Sequence, residues 1–172
     1  MKKFILLLIV LYVAIITLMP KENLYYTLKN RLKEQQVTLS ESELKDNLIS
    51  LKADNVIVSY DGIESVDVES FSILPLIFYN KLTATNVSAT ASLKSMFKYS
   101  ADEVQLTYKI WNYKSVDIDA SGDFGDIHGS LDVLSGELKL NIEPSLEFEK
   151  NSLLRQYFKK SDEGYIHESK IY

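Results

Sequence analysis

The sequence predicts a mostly β chain of the α+β class, with an N-terminal transmembrane helix followed by an antiparallel, curled β-meander sheet and one or two short helices. Three observations predict it. An apolar run fills residues 4–19, alternation of period two dominates from Val37 onward, and short polar turns separate the alternating segments. The chain has 172 residues, enough for one domain of ordinary size beside an anchor.

The first element is FILLLIVLYVAIITLM, Phe4 to Met19, interrupted only by Tyr12 and Thr17. Its 16 residues span about 24 Å as a helix, somewhat less than a hydrocarbon core of about 30 Å. Flanking residues and lysine snorkelling cover the difference. A cleaved signal peptide is the rival reading, but the exit ITLMPKEN has no A-x-A pattern of small residues. A buried core helix would show a polar face, and this run shows none. Phe4, Leu8, Leu11, Ile15 and Met19 therefore mark a membrane anchor, and Lys2 and Lys3 place its N-terminus in the cytoplasm. The rest of the chain is then expected outside the inner membrane, in the periplasm of a Gram-negative cell.

Pro20 breaks the run, and ENLYYTLKNRLKEQQ follows, with Leu24, Leu28 and Leu32 on a narrow stripe beside Tyr25. That spacing predicts an amphipathic juxtamembrane helix over 21–36. It reads either as a stalk packed on the domain or as a partner-binding helix. Residues 1–20 are thus the cytoplasmic tip and anchor, and 37–172 a single periplasmic β-rich domain.

Val37 to Ser40 predicts a short strand, and Ser40–Glu43 offers a capping box for a helical turn. Val56, Val58 and Tyr60 share a face before the Asp61–Gly62 turn. Val66 and Val68 alternate with acids, and Pro75 marks a bend or a sheet edge. LTATNVSATASL predicts a strand carrying Val87, Ala89, Ala91 and Leu93 on one face. Val104, Leu106, Tyr108 and Ile110 form the next apolar row, then Val116, Ile118 and Ala120. Two strands, Asp126 to Leu134 and Glu137 to Glu143, meet through Ser135–Gly136, the second carrying Leu138, Leu140 and Ile142. Asn151 is placed to cap a helix over SLLRQYFKK, and YIHESKIY forms a last strand. Such rows, half polar and half apolar, suit an antiparallel sheet with one buried face.

The composition narrows the chemistry. There is no cysteine, which removes disulfides, thiolate metal sites and a cysteine nucleophile. The net charge is −5, and without Lys2 and Lys3 the remainder is more acidic still, so no direct nucleic-acid binding is expected. Eleven Tyr, seven Phe and one Trp exclude a disordered composition.

No reactive constellation stands out. Asp126, His128, Ser130 and Asp132 look like a triad but are spaced by two. On a strand such residues lie side by side about 6.6 Å apart, not at the 2.6–3.2 Å of a nucleophile and its base. They read as the polar face of an amphipathic strand, with His128 toward water. His167 is likewise expected to reach solvent. Asp117, Asp119, Asp123 and Asp126 cluster near Ser121–Gly122 but lack the glutamate of an EF-hand loop. Glu143 and Glu147 form a carboxylate pair by proximity only. The glycines between Gly122 and Gly136 follow no phosphate-loop pattern and suit turns and bulges. No catalytic, cofactor-binding or metal residue is therefore assigned, and no cofactor is expected.

The segment FGDIHGSLDVLSGELKLNIEPS, Phe124 to Ser145, resembles a stretch typical of type II secretion protein N and the related AsmA-like envelope proteins. LISLKADNVIVSYDGIES, SFSILPLIFYNKLTATNVSA and LLRQYFKKSDEGYIHES are similar to that family's opening strands and closing elements. The resemblance implies a single-pass inner-membrane protein with a periplasmic sheet of hairpins, an accessory component of a type II secretion or pseudopilus-type machine for protein export or DNA uptake. Its partners would be other inner-membrane and periplasmic components of a multiprotein complex. The alternative is a lipid-binding or lipid-transfer module, in which the rows Val104–Leu106–Tyr108–Ile110 and Leu138–Leu140–Ile142 line an apolar groove. The resemblance carries over no reactive residues.

Overall fold

The computed structural model describes residues 2–95, 97–150, 155, 158–161 and 164–171. Helix α1 (Lys2–Thr17) and helix α2 (Lys21–Glu34) come first. Strands β1 (Val37–Ser40), β2 (Glu43–Asp46), β3 (Leu51–Tyr60), β4 (Ile63–Leu76), β5 (Tyr79–Ala89) and β6 (Ala101–Lys109) follow. A 3-10 turn (Ile110–Asn112) leads to β7 (Ser115–Gly122), β8 (Gly125–Asp132) and β9 (Glu137–Pro144). Helix α3 (Leu146–Lys150) and strands β10 (Lys159–Ser161) and β11 (Gly164–Lys170) complete the order.

Among the described residues all eleven strands join one antiparallel sheet, in the order β1-β3-β4-β5-β6-β7-β8-β9-β11-β10, with β2 also on β3. Sequence neighbours pair from β3 to β9, as a meander requires, through short turns except for the longer 90–100 segment between β5 and β6. The Asp61–Gly62 turn has positive φ at both residues, 49° and 78°, which suits the twist of a hairpin. Pro75 pairs with Asn80 of β5 but lies beyond the last β3 pair, Leu51 with Ile73, so its missing N–H interrupts no ladder on that side.

A polar seam crosses the first half of the sheet. Asn55 and Asn86 sit at φ 51° and 50°, on either side of Glu69, and none of the three belongs to a ladder pair. Asn86 Nδ2 donates to Glu69. The break between β1 and β2 lies on the same line, where Ser42 donates to Asp54 O and accepts from Asn55. At β6 the seam ends in a bulge at Asp102, which leaves β7 regular. Each left-handed residue flips the alternation. As a result Leu51 and Ala53 share a face with Val56 and Val58, and Leu82 and Ala84 share it with Val87.

Two buried clusters cover parts of the apolar face. Tyr25 of α2 packs with Leu51, Ala53, Val56 and Val68. Phe148 of α3 packs with Ile142 and Tyr165, its ring edge-on to Tyr165 at 5.4 Å. The strands between, from β6 to β8, carry half-buried apolar residues on this face, apart from the buried Ala101 at the start of β6.

Four expectations are corrected. Ser40–Glu43 caps no helical turn, because the free edge of β3 recruits Glu43–Asp46 as a strand. The β5 strand stops at Ala89, where Thr90 is pinned by its N–H to Ser65 O and its hydroxyl to Glu64 O. Ala91 and Leu93 consequently lie in a turn. Ile110 leaves its row for the 3-10 turn and is exposed. Lys159 and Lys160 end no helix but begin β10. The Asn151 cap lies outside the described residues.

Candidate functional site

The register places predicted inner-face residues together. Val104 stands between Ala84 and Ala120, and Leu106 between Leu82 and Ile118. Tyr108 pairs with Val116, Leu138 with Leu131, Leu140 with Gly129 and Ile142 with Ile127. Ile142 is buried and the others are half-buried. Gly129 belongs to this face because the strands approach closely there. A Cβ on it would stand 2.3 Å from Lys139 O and 2.6 Å from a Leu140 methyl.

Helix α2 lies over one side of this face and leaves a hollow of about 360 Å³ beneath it. Leu28 and Leu32 form the roof, and the floor is entirely apolar, including Val58, Phe71, Leu82 and Val104. Leu28 and Leu32 of the leucine stripe thus face the sheet, while Leu24 is exposed. The hollow was illegible in sequence because Leu82 and Ala84 fall on the wrong parity relative to Val87. The only signal was Asn86 between them, a residue type that tolerates positive φ.

A polar clamp holds α2 in place. The Tyr25 hydroxyl donates to Glu41 at 2.9 Å, and Lys29 Nζ donates to both carboxylate oxygens at 2.8 and 2.7 Å. Burial, then the Glu41 hydrogen bond, push the Tyr25 phenol well above the ordinary tyrosine range. Burial alone would raise the Glu41 carboxyl, but the Lys29 and Tyr25 hydrogen bonds outweigh it and hold it below the usual value. At the start of α2 the buried Lys21 ammonium pairs with Asp46 at 2.9 Å.

The opposite face carries the charged residues. His128 Nδ1 lies 2.7 Å from Asp119 Oδ1, and both side chains are more than half exposed. That hydrogen bond raises His128 above the ordinary histidine value, against a small desolvation cost. Ser130 stands opposite Asp117 and Lys139 in the ladders, one step along from His128, so the apparent triad is a row on a strand. Asp132 instead caps its own turn. Its carboxylate accepts the Ser135 and Leu134 N–H groups, both at 2.8 Å, and they hold it below the usual range. The acidic cluster is dispersed as well. Asp117 pairs with Lys109 at 2.7 Å, and Asp123 accepts from the Ser100 N–H and hydroxyl. Among the described residues no group of three or more His, Asp or Glu is placed to hold a metal ion.

His167 does not reach out on the polar face. It pairs with Leu140 in the register that puts Tyr165 on the apolar face, and its ring meets Phe158 edge-on at 5.4 Å. Counting by two from the buried Tyr165 gives this placement directly.

The residues predicted to form an anchor, Phe4, Leu8, Leu11 and Ile15, all lie on α1 and are exposed, with Met19 just beyond its end. Among the described residues no single helix is long and apolar enough to cross a membrane alone. Helices α1 and α2 meet that requirement only as a pair bent by 50° at Pro20.

Compared with protein-family models, with curated proteins and with solved structures, the chain matches none.

Proposed function

We propose that the protein is a non-enzymatic accessory or assembly component of a type II secretion or related pseudopilus-type envelope machine, for protein export or DNA uptake. It is anchored in the inner membrane by α1, and its sheet lies in the periplasm. One observation carries the reading. An apolar helix with no polar face is exposed along nearly its whole length, yet it is fixed to a broad sheet. Burying that surface in lipid removes the cost of leaving it in water. Beyond the membrane, the protein acts through contacts with other envelope components. These contacts form by packing of side chains or by edge-strand addition. The edge strands β1, β2 and β10 are short, and β2 and β10 carry Lys45, Lys159 and Lys160, features that discourage strand addition there. Site-specific photocrosslinking in intact cells, followed by purification from membranes, should recover secretion-type or pseudopilus components. Recovery of none would sink the reading.

The 360 Å³ hollow under α2 favours a second reading, a periplasmic lipid-binding or lipid-transfer module. Its walls offer no polar group to a ligand, as an acyl chain requires. Native mass spectrometry of the full chain after gentle extraction distinguishes the two: a retained lipid that Leu82→Gln abolishes supports this module, and absence of bound lipid rejects it.

A further inference from the structure

The strand directions place four loops at one end of the sheet: β2–β3, β4–β5, β6–β7 and β8–β9. Each presents large apolar side chains to solvent. Leu48 and Ile49 are 73% and 47% exposed, Phe78 50%, Trp111 70%, Tyr113 56% and Leu134 65%. The opposite end also exposes Tyr60, Ile63, Phe97 and Leu146, but its two tight turns carry Asp61 and Asp123.

The same end receives the apolar helix. The Tyr12 ring stacks on Phe78 at 5.9 Å and 14° between planes, and Lys21 beyond the break pairs with Asp46 at the end of β2. Tyr12 precedes Thr17, the end of α1, by five residues, which is about 7.5 Å along the axis. A side chain stacked on Tyr12 therefore lies inside the apolar layer that surrounds α1. The depth matches the roughly 5–10 Å to which interfacial elements enter a bilayer. Trp and Tyr are also the residues enriched at that boundary, with an apolar ring and a polar N–H or O–H.

The geometry points to this loop end as a bilayer-docking surface: Leu48, Ile49, Phe78, Trp111, Tyr113 and Leu134 enter the headgroup–acyl boundary and stand the sheet on the membrane by its loops. The inference rests on α1 being the membrane anchor and adds a fixed orientation to it. The short apolar run then needs no stalk, because the sheet itself reaches the interface.

Trp111 is the sole tryptophan and reports on its own loop. The full chain is reconstituted into phosphatidylethanolamine–phosphatidylglycerol vesicles with or without lipids brominated near the top of the acyl chains. Trp111 emission should shift to the blue on reconstitution, be quenched by the brominated lipid and be shielded from aqueous iodide. A chain carrying Trp111→Phe with Phe97→Trp, which moves the reporter to the opposite end, should lose the lipid quenching. If the chain floats with vesicles but Trp111 answers only to iodide, or both reporters are quenched alike, the docking surface is overturned while the anchor stands. If the chain fails to float with vesicles, the anchor reading falls and the docking surface falls with it.

Discussion

The Tyr25 hydroxyl and the Glu41 carboxylate meet at 2.9 Å, joining the buried face of α2 to the segment between β1 and β2. Lys29 closes the same carboxylate from the other side. Glu41→Ala would leave a buried phenol and a largely covered ammonium without their acceptor, a loss of about 1–3 kcal/mol. The pH dependence has a definite sign. Glu41 titrates lower in the folded chain than in the unfolded one, so its contribution is fully present above the unfolded value. It disappears as the pH falls through the depressed folded value. Urea unfolding of the chain in detergent should show an acid loss of stability that Glu41→Gln flattens.

His128 responds in the opposite direction. Its folded value is raised by Asp119, so the pair stabilises fully below the ordinary histidine range and the effect vanishes as the pH rises through the raised value. Both groups are exposed, and the pair is worth less than about 1 kcal/mol. Titration of the His128 ring resonances should give a midpoint above 6.5 that Asp119→Asn lowers. His128→Ala should leave stability and phenotype nearly unchanged. A phenotype lost with the fold intact would revive an enzymatic reading.

Gly129→Val tests the close approach of β8 and β9. The added carbons meet Lys139 O and Leu140, and only movement of the strands relieves them. Overpacking of this kind costs about 1–3 kcal/mol or more. Thermal unfolding followed by circular dichroism should show a lower midpoint, whereas Ser130→Val, on the polar face of the same strand, should not.

Asn86→Val tests the seam. A β-branched residue at φ 50° is strained by about 1–2 kcal/mol. Asn86→Gly relieves that strain and loses only the bond to Glu69, so it should stay within about 1 kcal/mol of the parent. Equal losses in the two variants, measured by urea unfolding, would show that the left-handed backbone is not what the position requires.

Phe148→Ala removes the most deeply buried ring of the second cluster, between Ile142, Tyr165 and the Phe158 ring. A loss of about 3–5 kcal/mol is expected. It should appear as weakened amide-exchange protection in β9 and β11 before β3 and β4, which a different cluster holds.

The sequence by itself determined the local elements: an apolar helix ended by Pro20, an amphipathic helix after it, and the strands β1, β3 to β9 and β11, where apolar and polar residues alternate. It also determined that the Asp126–Asp132 row is one face of a strand, since spacing by two admits no other arrangement in extended chain. Tertiary structure alone decided which of these rows share a face. Parity is lost wherever the backbone enters the left-handed region, and two asparagines do so at matching heights, which brought Leu82 and Ala84 under α2. Pairing likewise decided β2, because an unpaired edge of β3 offers its backbone groups to any neighbouring extended segment. The gathering of Leu48, Phe78, Trp111 and Leu134 at one end belongs to the same class. They are far apart in the chain, and only the antiparallel order of the strands brings their loops together.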